Sequence, residues 1–157
     1  MLLSGNQVRK NTATELVNWL TTDPTGQGCE KIGIMGDLNS YAMEDPIKII
    51  EDAGYQNLEG PEYYGFVFDG QAGTLDYVMV NQALSAMVTG AESWHVNADE
   101  ASAIDYNLVF GAGQRFSPNY FDGTVPYRCS DHDPVIVGVD LAEVCRKPSS
   151  LFFNPCK

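Results

Sequence analysis

Residues 32–39 read Ile-Gly-Ile-Met-Gly-Asp-Leu-Asn, a short apolar run followed by an acid and an amide placed two residues apart. The apolar run predicts a short buried strand over 32–35. Asp37 and Asn39 then follow at the end of that strand, where polar side chains can reach a ligand without breaking the sheet. The stretch therefore predicts a sheet that carries a polar site at one end.

Helices are predicted on both sides of this strand. Capping-box spacing begins at Thr12, and apolar residues at helical intervals carry a first helix to about Leu20. Asp45 is expected as the N-cap of a second helix, with Pro46 at its first position and Gly54 as its stop. A third, short helix is expected over 82–88.

Further strands are predicted towards the C-terminus. The segments 63–68 and 74–80, separated by residues 69–73, predict a hairpin. A strand is also expected over 92–96, and the alternating, β-branched segment 135–141 is the clearest one. The Gly, Pro, Asn and Asp density of 97–128 predicts long loops, with one short element near 104–110.

Asp76 interrupts an otherwise apolar strand. Alternation puts Asp76, Val78 and Val80 on one face of that strand. A carboxylate buried on such a face is costly unless a hydrogen-bond donor meets it. The sequence therefore predicts a polar partner for Asp76 from elsewhere in the chain.

Composition fits one compact domain of an exported protein. The chain has 157 residues, 44% of them hydrophobic, and a formal net charge of −12, which argues against a broad basic surface for nucleic acid. No apolar stretch reaches the length of a membrane span. The four cysteines lack C-x-x-C spacing, so disulfides are favoured over zinc, with Cys145 and Cys156 as one candidate pair and free thiols as the alternative.

A second polar cluster, Ser130-Asp131-His132-Asp133-Pro134-Val135, stands at the entry to the last strand. Together with Gly36-Asp37-Leu38-Asn39 and Leu75-Asp76-Tyr77, it resembles the endonuclease/exonuclease/phosphatase superfamily, which includes exonuclease III and deoxyribonuclease I. Longer matches resemble large secreted bacterial nucleases of the same superfamily: Trp19-Leu20-x-Thr22-Asp23-Pro24-Thr25-Gly26, Glu44-Asp45-Pro46-Ile47 and Trp94-His95-Val96-Asn97-Ala98-Asp99-Glu100.

The resemblance implies an α/β fold: half of a four-layer α/β sandwich, with a mixed, mainly antiparallel sheet and flanking helices. The strands near 32–36, 74–80 and 135–141 are expected to share this sheet. Residues 1–144 would be the C-terminal half of the catalytic domain, and residues 145–157 a tail. The family's metal-binding glutamate belongs to the other half, and none of Glu15, Glu30 and Glu44 is expected to replace it. The chain alone is therefore expected to show little or no nuclease activity, and to self-associate or need a complementing N-terminal half.

The resemblance also implies a role for each site residue. Asp37 would orient or deprotonate the attacking water, with Asn39 bonded to the phosphate or to Asp37. Asp131 and Asp37 would bind Mg²⁺, with Mn²⁺ or Ca²⁺ as alternatives, since hard cations prefer oxygen ligands. His132 would contact the scissile phosphate or transfer a proton, while Asp76 accepts a hydrogen bond from its imidazole and orients it.

Each of these residues also has a purely structural interpretation. Asp37 and Asn39 can form an Asx turn after a strand, Asp76 can be a solvent-facing charge on an edge strand, and His132 can be a surface loop residue. His95 is expected to be structural. Two weaker sets of candidates remain. An acidic loop could bind a cation but is more simply explained as solvated: Asp99, Glu100 and Asp105. Three aromatic residues could line a nucleic-acid groove or fill the core: Tyr41, Tyr106 and Tyr127.

The leading functional hypothesis is an extracellular or periplasmic, Mg²⁺-dependent hydrolase that cuts DNA, with RNA as an alternative substrate and no membrane partner. One alternative is a phosphatase or a sphingomyelinase-type phosphodiesterase, because the shared motifs handle phosphate and not the leaving group. The other is a non-catalytic remnant or interaction module of the same fold.

Overall fold

The computed structural model describes residues 5–60, 62–101, 109–110, 113–114, 124 and 128–141. Three helices lie in these ranges: α1 (Asn6–Leu20), α2 (Asp45–Asp52) and α3 (Gln82–Ser85). The strands are β1 (Gly33–Asp37), β2 (Tyr55–Asn57), β3 (Phe66–Phe68), β4 (Gln71–Gly73), β5 (Asp76–Asn81), β6 (Val88–Ser93), β7 (Val109–Phe110), β8 (Gly113–Gln114) and β9 (Val135–Val139). Every described strand pair is antiparallel, so the chain is a mixed α/β protein with antiparallel sheets.

The largest sheet has β5 at its centre, with β1 on one edge and β2 on the other. Tyr77 and Met79 of β5 join Ile34 of β1 in the main core, which α1 and α2 cover. Val78 and Val80 are also buried, but they lie on the opposite face of β5. Since both faces of β5 are covered, this strand fixes the position of everything at its ends, including Asp76.

The remaining strands form pairs. β3 pairs with β4, β6 with β9, and β7 with β8. β9 also lies next to β5, without hydrogen-bonded pairing between the two strands. This arrangement corrects the prediction that strands near 32–36, 74–80 and 135–141 share one sheet. A strand has only two edges, and β1 and β2 already occupy both edges of β5.

The predicted hairpin is also wrong in its pairing. β3 turns back into β4 through Asp69 and Gly70, which both have positive φ (50° and 75°), as a type I′ turn requires. β5 then continues separately into the three-stranded sheet. The two residues Asp69 and Gly70 are enough to form the turn, because the backbone twist of a type I′ turn matches the twist of the flanking strands.

The first two helices end where predicted but start differently. Thr12 does not cap α1; it lies inside the helix, where its hydroxyl donates to the carbonyl of Val8 at 3.0 Å. The N-cap of α2 is Glu44, and Asp45 is instead helical and forms an ion pair with Lys10 of α1 at 3.0 Å. The third helix starts at the predicted residue but is shorter, Gln82–Ser85. The strand that follows begins earlier than predicted, at Val88–Ser93.

Two sequence predictions fall partly outside the described residues. Of the element expected near 104–110, the structure describes only residues 109–110, in β7. The tail 145–157 and the proposed Cys145–Cys156 pair lie wholly outside. Cys29 is disulfide-bonded and Cys129 is a free thiol. No helix in the described ranges is both long and apolar enough to span a membrane.

Candidate active site

The end of the β1–β5 ladder brings two carboxylates face to face. Asp37 is the register partner of Asp76, and the ladder continues as Leu38 N–H donates to the carbonyl of Leu75 at 2.9 Å. Directly opposite residues on antiparallel strands point to the same face, so the two side chains are neighbours. Like charges opposite each other are unfavourable, so this end of the sheet favours positive or hydrogen-donating partners.

His132 is one such partner. Its Nδ1 is hydrogen-bonded to Oδ2 of Asp76, across 56 residues of sequence. An ionised carboxylate can only accept, so Nδ1 carries the hydrogen and Nε2 is the free edge of the ring. The predicted contact between Asp76 and His132 is therefore present, and Asp37 is the register partner of the same Asp76.

The position of His132 is fixed by antiparallel backbone contacts with Gly65 and the start of β3. Phe66 and His132 form an antiparallel bridge, flanked by hydrogen bonds from Val67 N–H to the Asp131 carbonyl (3.4 Å) and from Asp133 N–H to the Gly65 carbonyl (2.6 Å). The Phe66 ring packs against the imidazole, with centroids 4.7 Å apart. The histidine is thus clamped by backbone on one side and by an aromatic ring on another.

Asp37 and Asn39 form an Asx turn. Asn39 donates its backbone N–H to Asp37 Oδ1 at 2.7 Å and its amide Nδ2 to Oδ2 at 3.3 Å. Asn39 has φ +50°, a left-handed conformation that asparagine tolerates better than most residues. Of the two partners foreseen for Asn39, phosphate or Asp37, the structure shows Asp37. Both side chains are exposed, so the turn leaves them open to a ligand.

Asp131 lies on the open side of the histidine. Its side chain is 41% exposed, and its Oδ1 is 4.0 Å from Nε2 of His132. Among the described residues, no group of three or more acidic, histidine or cysteine side chains is arranged to hold a metal ion. Asp131 and Asp37 are therefore accessible oxygen donors, each without a ready-made cage around it.

Tyr77 ties the loop that carries Asn39 to the start of β5. Its buried hydroxyl is a donor 2.8 Å from the carbonyl oxygen of Ser40 and 2.9 Å from that of Thr74. Burial, followed by the nearby negative charge of Glu44, Glu51, Glu59 and Asp76, raises the pKa of Tyr77, so the hydroxyl stays protonated. A permanent donor at this point holds the two strand ends of the site together.

Glu59 is a residue of this region that sequence analysis missed. Its side chain is buried, with 3% of the residue exposed; Oε1 accepts a 2.6 Å hydrogen bond from Ser93, and Oε2 has no hydrogen-bond partner among the described residues. Burial raises the pKa of Glu59; the Ser93 hydroxyl opposes the rise, the charge of Asp76 adds to it, and that of His95 opposes it. No signal in the sequence separates Glu59 from the exposed acids.

A second histidine–aspartate pair lies beside the first. His95 Nδ1 is 3.1 Å from Oδ2 of Asp133, the residue that follows His132. Oδ1 of Asp133 accepts backbone hydrogen bonds from Val96 (3.0 Å), Asn97 (2.8 Å) and Ala98 (2.9 Å). Burial alone would raise the pKa of Asp133, but these donors and His95 outweigh it and hold the pKa below its ordinary value.

Tyr64 completes this second pair. Its ring stacks on the His95 imidazole with centroids 4.4 Å apart and planes 24° apart, and its hydroxyl donates to Asp99 at 2.6 Å. The His95 side chain remains 42% exposed. The expected structural role of His95 thus agrees with its contacts, but the ring is half open to solvent.

The weaker candidates are engaged in ordinary contacts where the structure describes them. Glu100 accepts hydrogen bonds from Asn97 Nδ2 (3.0 Å) and from the backbone N–H of Arg128, so the acidic loop is internally bonded. Tyr41 lies against the backbone of Gly73. Glu44 bonds to Arg9 and to the Tyr41 N–H. Asp105, Tyr106 and Tyr127 lie outside the described residues.

No protein-family model, curated protein or solved structure matches the chain. The chemistry that the site can perform follows from its own geometry. That geometry offers an oriented imidazole with a free Nε2, two exposed carboxylates and an exposed amide around one end of a rigid strand pair. These are groups that can position a phosphate ester and move a proton.

Proposed function

We propose that the Asp37–Asp76–His132 site belongs to a Mg²⁺-dependent nuclease that hydrolyses phosphodiester bonds of DNA, built on half of the deoxyribonuclease I-like four-layer sandwich. The observation that carries the proposal is the hydrogen bond between Asp76 and His132 at the point where Asp37 faces Asp76. A surface loop histidine and an edge-strand acid would have no reason to meet there. The resemblance of the surrounding motifs supplies the reaction class.

The residues have distinct tasks in this proposal. Asp76 holds the imidazole through Nδ1, so that Nε2 of His132 faces the substrate and can contact a phosphoryl oxygen or transfer a proton. Asp37 orients the attacking water, and Asn39 keeps Asp37 in place through its two hydrogen bonds. Hydrolysis then forms a bond from the water oxygen to phosphorus, breaks the bond to the leaving oxygen, and delivers a proton to that oxygen.

The available donors fit Mg²⁺ better than zinc. Asp131 and Asp37 are exposed carboxylates, and Mg²⁺ is commonly bound through one or two carboxylates while it retains several waters. When bound, the ion would relieve negative charge on the phosphoryl oxygens. Since no larger group of ligands is found among the described residues, we expect the chain alone to hold the ion weakly and to turn over slowly.

The location that accompanies this activity is outside the cytoplasm. A disulfide at Cys29 fits an oxidising compartment. An acidic, exported nuclease with a net charge of −12 would depend on a bound cation and local donors to approach DNA.

The test is nicking of supercoiled plasmid by the 157-residue chain in excess over the plasmid, with and without Mg²⁺. We expect slow nicking that requires Mg²⁺ and is lost in Asp131→Ala and in His132→Ala. Asp52→Ala, an exposed aspartate at the end of α2, is the matched control and should nick like the wild type. Nicking that survives both substitutions would show that another site, or a contaminant, does the cutting.

Two other outcomes decide between the alternatives. Absence of any nicking, at any protein concentration, would overturn nuclease activity for the chain by itself, and would favour a non-catalytic interaction module or a chain that needs its complementing N-terminal half. Hydrolysis of a sugar phosphate or of sphingomyelin by the wild type, with intact plasmid, would favour the phosphatase or the sphingomyelinase-type phosphodiesterase.

A further inference from the structure

The sequence contains two histidines, and the structure holds both of them in the same way. In each pair, an aspartate contacts Nδ1 and leaves Nε2 as the free edge: Asp76 for His132 and Asp133 for His95. Such a contact fixes the ring plane and its outward direction. Both histidines of the chain are therefore oriented by an aspartate, which points to a shared role for the two rings.

The two pairs are adjacent. Asp133, which anchors His95, directly follows His132, and consecutive Cα atoms lie about 3.8 Å apart. The segment 64–66 spans both pairs as well, since Tyr64 stacks on His95 and Phe66 packs on His132. Glu59 lies within electrostatic range of both, because the charge of Asp76 and that of His95 each affect its pKa, after burial as the main cause.

The pair of His95 and Asp133 is held by more hydrogen bonds than the packing of an exposed ring requires. Asp133 is 2% exposed and receives three backbone hydrogen bonds on the oxygen that does not face the histidine. Burial of a carboxylate costs free energy unless its oxygens accept hydrogen bonds. Here one oxygen accepts the three backbone hydrogen bonds, and the other contacts His95. The result is a preorganised imidazole whose side chain is 42% exposed.

We propose, on the basis of the phosphodiester site at His132, that His95 binds the neighbouring phosphate of the same nucleic-acid strand. The two histidines would then be adjacent subsites for a polynucleotide backbone, with His95 as a positioning and specificity residue. In its doubly protonated form, His95 donates through Nε2 to a phosphate oxygen while Nδ1 stays on Asp133. The charged and titratable groups facing it are Asp133, Glu59, Tyr64 and, through Tyr64, Asp99.

The proposed subsite would supply local attraction for a polyanion, which the acidic chain otherwise repels. With a net charge of −12, the surface as a whole repels a polyanion, so local donors must supply the attraction. One histidine can contact one phosphate and would not distinguish a polynucleotide from a single phosphodiester. A second fixed histidine, held by the residue that follows His132, would add that distinction.

The experiment compares two ligands that differ by one phosphate. TpT is a dithymidine with a single internucleotide phosphate, and pTpT carries a second phosphate at its end. Imidazole NMR signals of the full chain are followed during titration with each, with Mg²⁺ present and at a pH of about 6, where histidines begin to be protonated. We expect TpT to shift only the His132 signals, and pTpT to shift both histidines and to bind about tenfold more tightly, as one charged hydrogen bond allows.

Variants separate the contact from the fold. His95→Asn keeps a donor close to Asp133 but removes the outer nitrogen, so pTpT should bind no better than TpT. His95→Gln places an amide N–H further out and should recover part of the preference for pTpT. His132→Asn should weaken both ligands alike. Unchanged melting temperatures show that each variant is folded, and the His95 shift in the wild-type chain needs no variant at all.

The possible failures are distinguishable. If TpT shifts His132 but pTpT neither binds more tightly nor shifts His95, the second subsite is wrong and the proposed function stands. If TpT leaves His132 unmoved, the phosphodiester site itself fails, and the subsite with it. A preference for pTpT that persists in His95→Asn would assign the second phosphate to another residue.

Discussion

At the scale of single residues, two buried acids near the site have pKa values shifted in opposite directions. Glu59 is buried, finds no partner for one oxygen in the described part of the chain, and has a raised pKa. Asp133 is buried with both oxygens engaged and has a lowered pKa. Burial opposes ionisation in both cases, and the number of donors decides the outcome. The two residues therefore predict opposite effects of neutral substitutions on stability.

Glu59→Gln should stabilise the protein at neutral and higher pH by about 1 kcal/mol, or about 3 °C in melting temperature. A raised carboxyl pKa means that ionisation of the folded protein costs free energy as pH rises through that pKa, and the glutamine avoids this cost. Below about pH 4, glutamic acid is protonated in both states and the difference should vanish. Melting curves between pH 4 and 8 measure it, with exposed Glu62→Gln as the control; a variant less stable than wild type at high pH would contradict the assignment.

Asp133→Asn should destabilise the protein at neutral pH, by about 1–3 kcal/mol. A lowered pKa gives stability that is complete above the unfolded-state value, near pH 4, and is lost as pH falls through the folded-state value. The penalty of the variant should therefore shrink in acid. Urea unfolding at pH 7 and pH 3 tests this, with Asp131→Asn, whose side chain is exposed, as the matched neighbour. A penalty independent of pH would mean that packing, and not charge, is responsible.

The sequence identified some of these residues and missed others for a physical reason. Asp76 was recognisable because a carboxylate in an apolar strand needs a donor, and the structure supplies His132. Asp133 and Glu59 gave no such signal, since their burial depends on contacts with residues 93–98, more than thirty positions away in both cases. Local patterns cannot show which of the 21 acids a distant loop will cover.

At the scale of secondary-structure elements, Tyr77 connects β5 with the loop after β1. Tyr77→Phe removes the donor between the Ser40 and Thr74 carbonyls and should lower the free energy of unfolding by about 1–3 kcal/mol. Because Ser40 follows Asn39, the variant should also loosen the Asx turn at the site. Urea unfolding gives the first effect, and amide hydrogen exchange of residues 38–41 the second.

Tyr55→Phe is the control for this prediction. Tyr55 belongs to the same core, and no hydrogen bond from its hydroxyl is seen in the described part of the chain. It should change stability little. Equal losses in the two variants would show that ring packing outweighs the hydroxyl, and would remove the proposed connection.

Strand positions were more predictable than strand partners. The segments around β1, β5 and β9 were foreseen because apolar runs and alternation are local properties. Their pairing was not, because β2 takes the second edge of β5 and the tight Asp69–Gly70 turn gives β3 a different partner. The capping-box pattern at Thr12 failed for a similar reason, since Glu44 and Asp45 anchor the earlier turns of α1 through Arg9 and Lys10.

At the scale of the whole molecule, the pair β6–β9 presents apolar side chains to solvent. Ile136 is 48% exposed and Trp94 57% exposed, and β-register places them on one face, since Trp94 lies opposite Pro134. Exposed apolar patches favour association. We expect concentration-dependent self-association in sedimentation velocity, reduced in Ile136→Lys and unchanged in Val8→Lys, an exposed apolar residue of α1. A monomer at every concentration would contradict this expectation.

We propose that Asp37, Asp76 and His132 form one phosphodiester-binding site, and the most direct measurement is the effect of TpT on the His132 imidazole signals with Mg²⁺ present. We expect a saturable shift in the wild type, and much weaker binding in Asp76→Asn, where the ring loses its anionic partner. Asp99→Asn, which alters the second pair only through Tyr64, should leave TpT binding unchanged. A His132 signal that does not move, or that moves equally in Asp76→Asn, would contradict the claim.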